Sequence, residues 1–362
     1  MLVKYIMSQV IPFRDCSFAS FPQSRQQGAI LIIVLMLLSM LVVVTMESMR
    51  LMQVNQVSSR VFADSLKGKS LSRSAITLTE SLLLNDAKKK ANKDEENVDH
   101  YGETWANFLN QDEIALPSLG LGEVNGTILD EQSKFPINYL VDHNGDFQKE
   151  YKAVLERLLM SPPFSKELPE VKKILESLKD WIDKDKDRTG EFGAESSYYH
   201  LENKDYSCPN RPIKYIGELV LIRGIDTELY TGSENKPGLK DLFTVYSNGK
   251  ININTAPKEI LAAMVNPGIS RETAMQFAEA AIDYRRQSRH FDFLYESDWY
   301  LNRLAGYSDV QFPSQMVATA SNNFSVLINA TSGSACIAYF CVLERNLNDK
   351  KYNVKRLLTE VQ

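Results

Sequence analysis

The sequence predicts an α+β fold in which a long amino-terminal helix lies across an antiparallel sheet, with a large all-α region inserted between the sheet's strands. Three observations predict it. An uncharged apolar run from Ala29 to Thr45 passes into apolar residues spaced three and four apart. Three β-rich runs follow one another at the carboxy end. Between them, residues 136 to 315 carry a diverged helical repeat. The 362 residues suffice for two or three domains, and 24% charged with 10% aromatic residues excludes a disordered or collagen-like chain. A net charge of -5 gives no bulk attraction for nucleic acid, and four cysteines are too few for a disulfide scaffold.

Ala29 to Thr45 reads AILIIVLMLLSMLVVVT, seventeen residues without charge. At about 1.5 Å of rise per residue such a helix is about 26 Å long, close to the roughly 30 Å hydrocarbon core of a bilayer. It can span. A cleaved secretory signal has a shorter apolar stretch and a small-x-small site, which Thr45-Met46-Glu47 does not supply. Lys4, Arg14 and Arg25 precede the run against Asp15 alone, so residues 1–28 are expected in the cytoplasm and everything after Glu47 outside it. Val54, Val57 and Val61, then Leu71, Ala75, Leu78 and Leu82, continue a helical stripe, with no proline between Gly28 and Leu84 and Gly68 as the one weak point. The expectation is one helix of about 50 residues, amphipathic in its second half, closed by a solvated loop over Lys88 to Glu96.

Leu119 to Leu129 (LGLGEVNGTIL) suggests a turn and a first strand. Phe324 to Ala330, Cys336 to Glu344 and Tyr352 to Leu358 read as three strands of a meander, joined by Thr331-Ser332-Gly333-Ser334 and Asn346-Leu347-Asn348-Asp349. Three isolated strands are marginal, so they need the second half of the long helix as cover. Within the inserted region, Phe135-Pro136-Ile137-Asn138 opens one unit and Ile251-Asn252-Ile253-Asn254 the other. Each is followed by a helix pair, and each closes on an acidic helix start, at Tyr215 to Leu219 and at Phe293 to Ser297. Thr255 is expected to cap a helix with Pro257 in its first turn.

Asp183-Lys184-Asp185-Lys186-Asp187, with Glu191 and Glu195, concentrates carboxylates in one turn-rich loop. Hard oxygens on a chain that can curl around an ion suit calcium, although the positions do not match an EF-hand and a solvated acidic loop is the plainer reading of the residues alone. Cys16 precedes the apolar run, and Cys208, Cys336 and Cys341 follow it. Cys336 and Cys341 lie on one strand facing opposite ways, so they cannot join; a bridge from Cys208 to either stays open beside burial as small apolar residues. No nucleophile elbow, His-Glu-x-x-His or phosphate loop occurs, and the four histidines are scattered, so an enzyme is not expected.

Arg25-Gln26-Gln27-Gly28-Ala29-Ile30-Leu31 resembles the junction of type IV prepilins and pseudopilins, where a basic leader ends in glycine ahead of the apolar helix. The resemblance implies cleavage after Gly28 by a prepilin peptidase, Ala29 as a methylated amino terminus, and Ile30, Leu31, Ile33 and Leu35 in the assembly helix. Most pilins carry glutamate where this chain has Ile33. A lone carboxylate in hydrocarbon is costly, and a subunit without one has no preceding terminal amine to find, which fits a first or tip subunit.

Asp180-Trp181-Ile182-Asp183, Gly193 to Tyr199 (GAESSYY), Glu218 to Gly224 (ELVLIRG), Asn252 to Pro257 (NINTAP) and Ser321-Asn322-Asn323-Phe324 carry a second resemblance, to general secretion pathway protein K. Pro136 and Ser133 depart from its pattern, where asparagine and glycine are usual. The family implies a pilin-like fold with an inserted domain of two similar units, SAM-like or helix-hairpin-helix-like. On this chain that gives a leader at 1–28, an assembly helix at 29–46 and a helix continuation with first strand at 47–130. The insert covers 131–315, with units at about 135–226 and 250–305, and the β-meander covers 316–362. It implies a single-pass inner-membrane protein with a periplasmic domain, the tip pseudopilin of a type II secretion pseudopilus that exports folded proteins. Partners would be two other minor pseudopilins, the major pseudopilin, the outer-membrane secretin and secreted substrates, with no nucleic acid. It implies a structural calcium ion as well, held by Asp183, Asp185, Asp187 and Glu195.

Two other readings remain at this stage, a membrane-anchored DNA-uptake receptor and a type IV pilus tip component. Asn254 to Glu259 followed by Asn266-Pro267-Gly268-Ile269-Ser270 also resembles a competence-type helix-hairpin-helix. Its hairpin ends in Ile269-Ser270 instead of isoleucine-glycine, and residues 250 to 305 balance seven basic against seven acidic side chains, where a DNA reader should carry a basic face.

Overall fold

The computed structural model describes residues 27–92, 97–108, 122–346 and 353–361. The leader up to residue 26, the start of the expected first strand before Gly122, and the tip of the last hairpin with Tyr352 lie outside the described residues. The chain divides into two compact units, Met1–Arg60 and Val61–Gln362.

Helix α1, Gln27–Asn92, is 66 residues long and takes in residues 88–92 of the expected solvated loop, whose residues 93–96 lie outside the described residues. Lysine and alanine are good helix formers, so nothing in that stretch ends the helix early. In the second unit, Leu71, Ala75, Ile76 and Leu83 are buried against the sheet. The buried stripe is therefore rotated from the expected one: Leu78 is exposed and Leu82 half-buried, while Ser72 and Thr79 face inward. Those two hydroxyls donate to carbonyls of the preceding turn, Gly68 O at 3.0 Å and Ala75 O at 3.0 Å, so burying them leaves no donor unpaired. Gly68 does not break the helix. A Cβ there would meet Ile337 Cδ1 at 3.2 Å, so the bare backbone admits the hairpin of the sheet.

The sheet has four strands in the order β1 (Glu123–Asp130), β2 (Asn323–Ser332), β3 (Ala335–Asn346) and β4 (Asn353–Val361), all antiparallel. Period-2 alternation sends Phe324, Val326, Ile328 and Ala330 of β2, with Ile337, Tyr339, Cys341 and Leu343 of β3, to the helix. Each large aliphatic side chain fully buried there contributes about 1.5–3 kcal/mol. Cys341 is buried as expected, but Cys336 is exposed, because the strand's alternation turns it outward; Cys208, Cys336 and Cys341 are all free thiols.

Between β1 and β2 the chain builds two helix pairs. The first is α2 (Lys149–Met160) with α3 (Leu168–Ile182), and the second is α4 (Lys258–Met264) with α5 (Arg271–Arg285). The expected duplication extends to a detail: each pair is preceded by a two-residue strand in a parallel ladder, Phe135–Pro136 with Phe243–Thr244 and Ile251–Asn252 with Val317–Ala318. Both pairs share one continuous core that includes Leu155, Leu158, Trp181, Ile260, Phe277 and Trp299. Thr255 does not cap α4. Pro257 is the cap residue, and the Thr255 hydroxyl donates to the carboxylate of Asp130 at 2.5 Å.

Candidate functional site

Three regions carry the functional expectations. At the first, Gly28 and Ala29 begin an apolar stretch whose side chains are all exposed, Ile30, Leu31, Ile33 and Leu35 among them. This is the one helix among the described residues that is long and apolar enough to cross a membrane. Its only hydroxyls are satisfied on their own backbone, Ser39 Oγ donating to Met36 O at 2.8 Å and Thr45 Oγ1 to Val42 O at 2.9 Å. No polar group in the run therefore needs water.

The second region is the carboxylate cluster of the first helical unit. Asp183 follows the last turn of α3, its N–H donating to Lys179 O, and Glu195 sits at the start of the short helix Ser196–Leu201. This placement brings single carboxylate oxygens of Asp183, Asp185 and Glu195 within 4.8 Å of one another. Asp187 is not in that group; its backbone N–H donates to Asp185 Oδ1 at 2.8 Å while its own carboxylate stays outside. Lys179 Nζ pairs with Asp183 Oδ2 at 2.8 Å and is the cation that partners the cluster. Asn210 Nδ2 bridges Asp185 O and Glu195 Oε2. Asp183 and Glu195 are 3% and 5% exposed, and Asp183 Oδ1 and Glu195 Oε1 are buried without a hydrogen-bond partner. Burial pushes the carboxyls of Asp180, Asp183 and Glu195 above their ordinary values, against the pull of Thr189, Lys179 and Asn210 respectively. Buried acceptors left open, on hard oxygens of like charge, fit a bound divalent cation. Cys208 is buried and donates to Asp180 O at 3.1 Å, and burial pushes its thiol up to about 12, so it is not a ligand thiolate at neutral pH.

The third region is the hairpin Asn266 to Ser270 between α4 and α5. Its carbonyls are occupied by the other helical unit: Arg157 of α2 donates to Asn266 O at 3.2 Å and Ile269 O at 2.6 Å. Arg271 returns a bond to Met160 O at 3.1 Å, and Ser270 Oγ caps α5 by accepting from Thr273 N. The hairpin works as a seam between the two helix pairs, which is the structural use of the motif that also resembles a DNA reader.

Sequence reasoning missed a fourth cluster, in which Asp99, Asp130, Asn252, Thr255, Ser321 and Arg345 meet at the end of the sheet. They come from well-separated stretches, so no spacing reveals them. The nearest signal was the pair of phrases NINTAP and SNNF, quoted for resemblance and given no contact of their own.

The fold is similar to that of a chain in the crystal structure of the GspK-GspI-GspJ complex from the enterotoxigenic Escherichia coli type 2 secretion system. That likeness has a TM-score of 0.58 at 18% identity and covers 84% of this chain and 99% of the other. The fold is a long helix laid on an antiparallel sheet with an inserted helical domain, and the start of the helix is long and apolar enough to cross a membrane. A family model described as type II secretion system (T2SS), protein K matches residues 133–234. Type II secretion system protein K of Pseudomonas aeruginosa is 29% identical over 251 residues, 67% of this chain and 70% of the relative. The protein of that name from Klebsiella pneumoniae is 29% identical over 213 residues, 57% of this chain and 60% of the relative. Over these residues the chain is similar to the type II secretion system protein K family.

Proposed function

We propose that the chain is the minor pseudopilin at the tip of a type II secretion pseudopilus, needed to start the filament and to export folded proteins across the outer membrane. The match to relatives named protein K, on a fold like that found in a GspK-GspI-GspJ complex, carries this reading. The chain acts by assembly and not by catalysis. A prepilin peptidase removes the leader after Gly28, and the apolar helix that begins at Ala29 leaves lipid to bundle with the helices of two other minor pseudopilins. The amino terminus lies in the cytoplasm and the sheet and helical domain in the periplasm. Ile33, in place of an acidic residue, gives the helix no charge to pair with a subunit above it. The major pseudopilin extends the filament below, and the secretin and exported proteins lie ahead of the inserted domain.

Asp183, Asp185 and Glu195 are the residues that would hold a calcium ion, with Asp187 available from the same loop. Bound calcium supplies neutralisation of the clustered carboxylates and a staple across residues 183–195. The chain's own part is to present two oxygens already stripped of water, at Asp183 and Glu195, while Lys179 holds the other oxygen of Asp183 in place.

The test is a strain carrying Gly28→Val in place of the native chain. The expected result is an unprocessed protein, seen by mass spectrometry of its amino terminus, and loss of secretion with export into the periplasm intact. Normal removal of the leader from that variant would refute the prepilin assignment, and a deletion strain that secretes normally would refute the tip function.

A further inference from the structure

Only two chain crossings join the inserted domain to the sheet, after β1 and before β2, and both lie at the same place because Asp130 pairs with Phe324. Two adjacent strands make a hinge unless something braces them. Asp130 is fully buried at that point, and four donors converge on its carboxylate. Oδ1 accepts from Gln132 N at 2.8 Å. Oδ2 accepts from Asn252 Nδ2 at 3.0 Å, Thr255 Oγ1 at 2.5 Å and Ser321 Oγ at 2.6 Å. Asn252 and Thr255 open the second helical unit, whereas Ser321 belongs to the returning crossing, so one side chain ties three separate segments. Beside it, Asp99 Oδ2 accepts from Ser321 N at 2.7 Å and from Arg345 Nη2 at 2.5 Å. Arg345, fully buried at the end of β3, donates also to Ser321 O at 2.7 Å and to Asp86 of α1 at 3.2 Å. The knot thus reaches helix, sheet, both crossings and insert.

We propose that Asp130 is the positioning residue that locks the inserted helical domain to the sheet and helix as one rigid body, so that a push along α1 reaches the domain without bending at the crossings. The mechanical half of this rests on the tip reading above. The chemistry asks for a carboxylate: an amide at this position must turn an N–H₂ toward one or other set of donors, and no rotation of it accepts all four. Burial also pushes the Asp130 carboxyl up to about 6 despite those donors, so the charged group is held at a cost in stability, as expected of a device that fixes orientation. Three of its four donors lie more than a hundred positions away in the sequence.

The experiment uses the full-length chain with Cys16→Ser and Cys336→Ser, spin-labelled at the exposed positions Lys204 of the insert and Lys355 of β4, both changed to cysteine. The native chain gives a narrow label-to-label distance distribution. Asp130→Asn is expected to broaden it and to speed amide exchange at Ile251 to Ala256 and at Val317 to Ser321 by about tenfold or more, with exchange in α2 and α3 unchanged. A narrow distribution with native exchange in this variant would overturn the lock. Should Asp130→Asn lose protection throughout, the milder Thr255→Val with Ser321→Ala decides: broadening upholds the proposal and a native width rejects it. Broadening with undiminished secretion would overturn the mechanical half. A deletion strain that still secretes would overturn the tip reading, and the spin labels would then judge the lock by themselves.

Discussion

Calcium should stabilise this protein by an amount that the carboxylate cluster sets. In the absence of an ion, three carboxylates approach within 4.8 Å with Lys179 as their partner, and Asp183 Oδ1 and Glu195 Oε1 forgo hydrogen bonds while buried. An ion that binds only the folded chain adds about 2.7 kcal/mol at a free concentration a hundred times its Kd. For a unit of this size each kcal/mol raises Tm by roughly 2–4 °C, so saturation should raise it by about 5–11 °C over a sample in chelator. The assay is thermal unfolding of the detergent-solubilised full chain, monitored by circular dichroism with calcium, magnesium or chelator. Asp185→Asn, at an exposed position, should remove most of the calcium response and leave the chelator midpoint within about 2 °C of native, since exposed substitutions cost little. Asp187→Asn should keep a larger share of it. A midpoint identical in calcium and chelator would refute the reasoning, and a loss with Asp187→Asn equal to that with Asp185→Asn would refute the choice of ligands.

Two further outcomes follow from the packing. Gly68→Val sets a branched side chain against Ile337, where a bare Cβ already comes within 3.2 Å, and should cost about 1–3 kcal/mol in chemical denaturation. Gly68→Ala, by contrast, should fall within about 1 kcal/mol of native, because the helix propensity gained offsets the tight contact. Native stability in the valine variant would mean that helix and hairpin do not approach as described. For Asp130 the carboxyl sits at about 6 when folded, against 3.8 as its ordinary value, raised by burial and by Asp99, with Tyr101 and the Asp99-bound Arg345 also nearby. A raised acid favours folding fully below the unfolded value and loses that contribution as pH rises through the folded one. The native chain should therefore lose up to about 3 kcal/mol relative to Asp130→Asn between roughly pH 4 and pH 6. Parallel stability curves would remove the assignment.

The long helix, the three meander strands and the helical duplication were legible because each is a local pattern. The run Phe324 to Ala330 lies inside the strand Asn323–Ser332, and the two unit openings are the paired short strands that precede each helix pair. The face of α1 was misjudged since Ser72 and Thr79 look polar in sequence, yet they hide their hydroxyls on the backbone. Thr255 has the composition of a cap, but a buried carboxylate more than a hundred positions away competes for its hydroxyl and wins. Among the expected calcium ligands, alternation of aspartates along the loop could not tell Asp185 from Asp187; that depends on which way the turn after α3 faces. The Asp130 knot was invisible for the same reason, being fixed by tertiary approach alone.

The placement of the insert also governs the order in which the molecule can be made. β1 cannot find its neighbour until β2 exists, and about 190 residues of chain separate them. During synthesis the helical domain, whose buried residues form a cluster separate from that of helix and sheet, can be complete while the second half of α1 and β1 still wait for a sheet to join. Helix and first strand thus wait until the last three strands arrive, and a truncation near the carboxy end would leave a finished insert on an unfinished stem.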